Sequence, residues 1–162
     1  MSILRPRSNN IFASVVTAPS LTAAALVALL GGLSPFAAAE PLQLKTADQE
    51  VYGSREIDSG KYHAGIEKLE IALARTNMRI KKAPILIDLC VAYVATSNLV
   101  AAKTYCDQAV ENGYNLDLAY NNRGVMHLAA GNVEQGVRDF ELAVIINRGH
   151  GIAKRNLATL SN

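Results

Sequence analysis

The sequence predicts an all-α protein in which three helix–turn–helix units and a C-terminal helix follow an N-terminal export segment. Two observations predict this fold. Small residues recur three times at one fixed spacing along residues 53–143. In the clearest unit, apolar residues recur at steps of three and four, as they do on the buried face of a helix. The composition agrees, because half of the residues are hydrophobic and only 6% are aromatic, which suits close helix–helix packing.

Residues 1–39 have the order of a secretory signal peptide. A basic start precedes the apolar run LTAAALVALL at residues 21–30, and three alanines at residues 37–39 supply the small side chains that a signal peptidase accepts. We therefore expect cleavage after these alanines. The mature chain would begin at Glu40 and would be periplasmic or secreted.

An uncleaved membrane anchor is the alternative for the same segment. Residues 21–39 are 19 residues without a charge, which is close to the ~20 that a membrane-spanning helix needs. Gly31, Gly32 and Pro35 interrupt the second half of this stretch, which favours cleavage. An anchored chain would be a structural subunit of a larger envelope assembly, with the membrane contacted only through this segment.

The charge balance gives no sign of a nucleic-acid partner. The chain carries a formal charge of +2, and Arg5 and Arg7 are the only charged residues before Glu40, so the remainder is neutral. A nucleic-acid-binding domain normally shows a basic excess. One local basic run, at residues 75–82, is interpreted as a solvated loop, with an anionic lipid or a phosphate as the alternative contact.

A ladder of small residues defines the repeat. In each unit a small residue is followed by others 12 and 19 positions later. The three sets are Gly53, Gly65 and Ala72; Cys90, Ala102 and Ala109; and Gly124, Gly136 and Ala143. Successive sets start 37 and then 34 residues apart. A large side chain at any of these positions would push paired helices apart.

The ladder divides residues 40–162 into three units and a cap. The units cover about residues 46–79, 83–116 and 117–150, with a turn residue between the two helices of each. Pro84 is expected near the start of a helix, where its missing N–H is harmless. Residues 150–160 form an amphipathic pattern that predicts a capping helix, which a repeat stack needs to cover its last apolar face.

This pattern resembles the tetratricopeptide repeat (TPR) family, whose period is about 34 residues. The third unit matches the family pattern best, through Tyr120, Gly124, Gly136, Phe140 and Ala143. The resemblance covers about residues 46–148 and implies a right-handed α-solenoid with a concave groove lined by the first helix of each unit.

The resemblance also implies that this groove binds an extended peptide or a partner helix. The repeat register places six residues of units two and three on it, which we call the predicted groove residues: Ile87, Val91, Val94, Asn121, Val125 and Leu128. In unit one the same face would carry Glu50, Ser54 and Ile57. The alternative is that some of these residues are packed beneath a neighbouring helix or beneath residues 40–47.

Cys90 and Cys106 are the only cysteines. They lie about equally far from the predicted turn of unit two, on helix faces that meet. An exported protein occupies an oxidising compartment, which favours a disulfide between them. Two buried free thiols are the alternative.

Nothing in the sequence predicts an enzyme or a cofactor site. The three histidines, His63, His127 and His150, fall in different parts of the repeat, without the spacing of a metal site. No nucleophile motif or phosphate-binding loop is present. We therefore expect a protein or peptide partner, no cofactor and no catalysis.

Overall fold

The computed structural model describes residues 41–161, so the predicted signal peptide or anchor lies outside the described residues. The described part is all-α, as predicted. Its seven helices are α1 (Ser54–Asp58), α2 (Tyr62–Ala74), α3 (Arg79–Ala95), α4 (Leu99–Asn112), α5 (Leu116–Ala129), α6 (Val133–Ile146) and α7 (Gly151–Leu160). None of these helices is long and apolar enough to cross a membrane.

Helices that follow one another in the chain pack together, and some helices also pack against the next but one. Each consecutive pair from α1 to α7 is in contact. In addition, α1 packs against α3, and α3 packs against α5. Helices α1, α3 and α5 therefore form a contiguous face, which α7 joins where Asn156 Nδ2 donates to Asn121 Oδ1, and this face positions the candidate site.

The paired helices α5 and α6 explain why the ladder requires small residues. A Cβ atom on Gly124 would lie 2.7 Å from Phe140 Cε1 and 3.0 Å from the carbonyl oxygen of Gly136. A Cβ atom on Gly136 would lie 3.0 Å from the carbonyl oxygen of Gly124. The two helix backbones approach so closely that a side chain at either position would force them apart.

A covalent bond joins the positions of α3 and α4 that are equivalent to Gly124 and Phe140. Cys90 and Cys106 form a disulfide, with their Cα atoms 4.8 Å apart, and both residues are fully buried. The bond lies in the largest hydrophobic core, beside Val91, Val94 and Val125.

Unit one departs from the expected pair of full-length helices. Its first helix is only the five residues of α1, and residues 41–50 are not helical. The main-chain groups of Gln43, Lys45 and Ala47 instead bond to side chains of other helices, so they cannot form helical hydrogen bonds. Of the three unit-one groove residues, Ser54 and Ile57 are buried and Glu50 is exposed.

Helix α3 begins earlier than its unit boundary at 83 suggests. It starts at Arg79, so Pro84 lies inside the helix rather than at its start. The first turn is held from outside, because the Arg79 guanidinium donates to the carbonyl oxygens of Glu111 and Asn112 at the end of α4. The Asn112 amide in turn donates to the Arg79 carbonyl. These contacts offset the helical bond that the proline removes.

Candidate functional site

The predicted groove residues lie on α3 and α5, but most of them do not face solvent. Ile87, Val91, Val94, Asn121 and Val125 are each at most 1% exposed, and Leu128 is half-buried. The three valines share one hydrophobic cluster, against which Leu128 packs, whereas Ile87 belongs to a second cluster. The structure therefore divides the apolar residues of this set between two clusters and covers most of the set.

The cover includes the chain's own residues 42–47, which we call the arm. Leu44 is 1% exposed and packs in the cluster that contains Val91 and Val125. Ala47 packs in the cluster that contains Ile87. The alternative raised for the sequence, that N-terminal residues cover part of this face, describes the observed arrangement.

Helices α5 and α7 hold the main chain of Gln43. Its N–H donates to Asn156 Oδ1 at 2.8 Å, and its carbonyl accepts from Asn156 Nδ2 at 3.0 Å. The same carbonyl accepts from Asn121 Nδ2 at 3.1 Å, and Asn156 Nδ2 also donates to Asn121 Oδ1. An asparagine amide has both a donor and an acceptor, so it can satisfy both main-chain groups of one residue.

Asn122 repeats this arrangement two residues further along the arm. Its Oδ1 accepts from the Lys45 N–H at 3.0 Å, and its Nδ2 donates to the Lys45 carbonyl at 2.7 Å. Asn121 Nδ2 donates to Asn122 Oδ1, which fixes the orientation of both amides. Asn121, Asn122 and Asn156 are all at most 1% exposed, so an unpaired amide at these positions would be costly.

Asp88 on α3 makes the third main-chain contact. Its Oδ1 accepts from the Ala47 N–H at 2.8 Å, and its Oδ2 accepts from Ser54 Oγ at 2.5 Å. Burial raises the pKa of the Asp88 carboxyl to about 7, although both hydrogen bonds and nearby Lys45 favour the charged form. The negative charge of Asp58 adds to the increase.

The contacts form the pattern of an extended peptide bound along a wall. The bonded arm residues are every second one, and in an extended chain alternate residues face the same side. The arm meets α7 and α5 at Gln43, α5 at Lys45 and α3 at Ala47, so it crosses the odd-numbered helices in reverse order. Because the bonds reach main-chain atoms, they would hold many sequences equally well.

Side chains of the arm add the selective contacts. Leu44 fills the hydrophobic cluster, and the Gln43 side chain accepts two hydrogen bonds from the Arg155 guanidinium. Thr46 is also buried and donates to Asp58 Oδ1 at 3.0 Å. A bound segment thus presents a large apolar side chain flanked by polar ones.

The described residues contain no group of three or more His, Cys, Asp or Glu side chains that could hold a metal ion. His150 instead caps the N-terminus of α7, where its Nδ1 accepts from the Ala153 N–H at 3.1 Å. His127 lies half-buried on α5, with Nε2 3.8 Å from Asp139 Oδ2. Burial lowers the pKa of both imidazoles, which favours their neutral form.

Five helical residues that hydrogen-bond to the arm were not predicted as site residues: Asp58, Asp88, Asn122, Arg155 and Asn156. For two of them, the sequence does indicate a buried polar side chain. Asp88 is an acid inside the apolar run ILIDLC, and Asn122 doubles the predicted Asn121. A buried polar residue of this kind needs a partner, but the sequence does not show that the partner is the main chain of residues 43–47.

Comparison of the chain with protein-family models, curated proteins and solved structures finds no match.

Proposed function

We propose that the chain is an exported protein–protein interaction module that carries out no catalysis. In this proposal three TPR-like hairpins form a right-handed α-solenoid with α7 as its cap, and the concave groove binds an extended peptide of a partner protein. The arm is the resident occupant of that groove, and the partner's segment takes its place.

The observation that carries the proposal is the set of buried side chains that bond to the arm's main chain. Asn156, Asn122 and Asp88 come from three different helices and reach Gln43, Lys45 and Ala47 in turn. Main-chain bonds supply affinity without depending on sequence, and pockets for alternate side chains supply selectivity. We expect a partner segment that places a leucine-sized side chain where Leu44 lies.

Attachment of the arm sets how strongly a partner must bind. A covalently linked segment competes at an effective concentration of about millimolar or more for a short linker. The linking residues Asp48, Gln49 and Glu50 are exposed, so the connection can change without disturbing the core. A partner succeeds when it binds more tightly than the arm or when it also contacts a second surface.

Export is supported by the residue order of positions 1–39 and by the buried disulfide. Disulfides persist in oxidising compartments and are rare in the cytosol. The mass of the purified intact protein would show whether the chain starts at Glu40. A retained Met1 would instead favour the membrane-anchored structural subunit.

The proposal is tested by cutting the chain after the arm, so that a labelled peptide can replace the arm. A protease site inserted between Asp48 and Gln49 is cut after folding, and a fluorescent peptide of residues 40–48 is added. We expect the peptide to bind the cut protein, as measured by fluorescence anisotropy, and not the uncut protein. A matched peptide with Leu44→Asp should not bind, because it would bury a charge beside Val91 and Val125.

Failure of exchange would contradict the proposal. If the cut arm stays bound through dilution and the labelled peptide never replaces it, then the arm is a permanent part of the fold. The groove would then not be a partner site.

A further inference from the structure

A cavity lies between α2, α3 and the residues that precede α1. It has a volume of about 360 Å³, which is within the range of small-molecule sites. Val51, Ala72 and Ile85 supply apolar surface, and the ring of Tyr52 lines one side. An alkyl chain would be the complementary ligand for these walls.

The charged residues that line the cavity are all cations. Arg75 and Lys81 line it, and no acidic side chain does. Both are exposed, and neither forms an ion pair within the described residues. The chain has no acidic residue between Glu70 and Asp88. Two uncompensated cations beside an apolar cavity are complementary to an anionic group on an alkyl chain.

The end of the α2–α3 connection and the first turn of α3 continue the same chemistry. Met78 is 55% exposed and Ile80 is 54% exposed, so two apolar side chains are accessible beside the cations. Arg79, between them, is held by the end of α4, so the segment has a fixed point. Apolar side chains alternating with cations are typical of surfaces that contact anionic lipids.

We propose that this cavity, with Arg75 and Lys81 at its rim, binds an anionic amphiphile, either a free fatty acid or an anionic phospholipid. The alkyl chain lies against Val51, Ala72 and Ile85, and the acidic group lies between the two cations. This site does not depend on the groove proposal, because none of its lining residues is among the described residues that hydrogen-bond to the arm.

The experiment uses calorimetric titration of the full chain with soluble amphiphiles below their micelle concentrations. Octanoate, decanoate and dodecanoate probe the alkyl chain, and affinity should rise about fourfold per methylene until the cavity is full. Dihexanoyl phosphatidylglycerol tests the phospholipid source, and dodecyl maltoside tests an uncharged head group. Whichever of the fatty acid and the phospholipid binds more tightly is identified as the ligand class of the cavity.

Two variants and one control assign the site. Arg75→Gln with Lys81→Gln should weaken dodecanoate binding about tenfold, the loss expected for two exposed ion pairs. Arg138→Gln with Lys154→Gln removes two exposed cations on α6 and α7 and should change nothing. Thr76→Phe, at a lining residue that is not a ladder position, should fill the cavity and remove the dependence on chain length, with circular dichroism reporting that the helices are intact.

Equal binding by the wild type and both cavity variants would overturn the proposal, as would equal binding of dodecyl maltoside. Affinity that does not change with chain length in the wild type would also overturn it, because the apolar walls would then have no role.

Discussion

Asn122 bonds to both main-chain groups of Lys45, so a single substitution there tests how much the arm contributes to stability. Asn122→Ala leaves a main-chain N–H and a carbonyl without their partner. We expect a loss of about 2 kcal/mol in the free energy of unfolding, since an unsatisfied buried group costs ~1–3 kcal/mol. Urea unfolding measures the change.

Asn132→Ala is the matched control for that substitution. Asn132 is exposed and its side chain makes no capping hydrogen bond to α6. Its replacement should change the free energy of unfolding by less than about 0.5 kcal/mol. If both variants lose the same amount, the loss does not come from the arm contacts.

Asp88 gives a pH dependence whose sign follows from its raised pKa. The carboxyl has a pKa of about 7 in the folded protein and about 3.9 in an unfolded chain. Because the folded state binds the proton more tightly, the contribution of this group to stability falls as the pH rises from about 4 to about 7. Above that window the contribution is constant.

The variant Asp88→Asn isolates this contribution, because it has no proton to bind at position 88. The stability of the wild type minus that of the variant should decrease from pH 4 to pH 7 and then level off. His127 and His150 titrate in both proteins, so their contributions cancel in the difference. A difference that is constant or rises with pH, measured by urea unfolding at several pH values, would contradict the role given to Asp88.

At the scale of helices, the close contact of α5 and α6 predicts that alanine is worse than glycine at two helical positions. Gly124→Ala and Gly136→Ala each gain about 1 kcal/mol of helix propensity. Each also places a Cβ atom 3.0 Å from a main-chain oxygen of the other helix. We expect a net destabilisation of about 1–3 kcal/mol, as for other overpacked sites, measured by thermal or urea unfolding.

Gly151→Ala is the control for the two glycine variants. Its Cβ atom would meet only Nη1 of Arg155, at 3.3 Å, which is the guanidinium nitrogen that does not donate to Gln43. The substitution should therefore be neutral or slightly stabilising. Destabilisation at Gly151 but not at Gly124 would show that crowding between α5 and α6 is not the reason for the ladder.

At the scale of the whole molecule, the sequence predicted the helix pairs that the spacing of neighbouring residues determines. The ladder predicted the α5–α6 and α3–α4 pairs, because each pair joins residues close in sequence. It did not predict that residues 41–50 would be non-helical, since their partners are far away in the chain. The bonds of Ala47, Lys45 and Gln43 span 41, 77 and 113 residues. A periodic pattern cannot reveal contacts of that range.

For the same reason, the repeat register could not show what covers the predicted groove residues. The repeat register placed Ile87, Val91, Val94 and Val125 on one face. The three valines share one hydrophobic cluster, whereas Ile87 packs in a second. Their cover includes the arm, which lies far from them in the sequence. Asn121 was expected to face a partner, and in the structure it bonds to Gln43 of its own chain.

The most direct test of the account is amide hydrogen exchange along residues 43–49 of the full chain, followed by NMR. The N–H groups of Gln43, Lys45 and Ala47 donate to buried side chains, whereas Asp48 and Gln49 are exposed. The bound arm predicts slow exchange at 43, 45 and 47, although faster than at the buried α3 and α5 amides because the arm can open without global unfolding, and fast exchange at 48 and 49. Exchange at 43, 45 and 47 as fast as at 48 and 49 would contradict an arm bound to the odd-numbered helices.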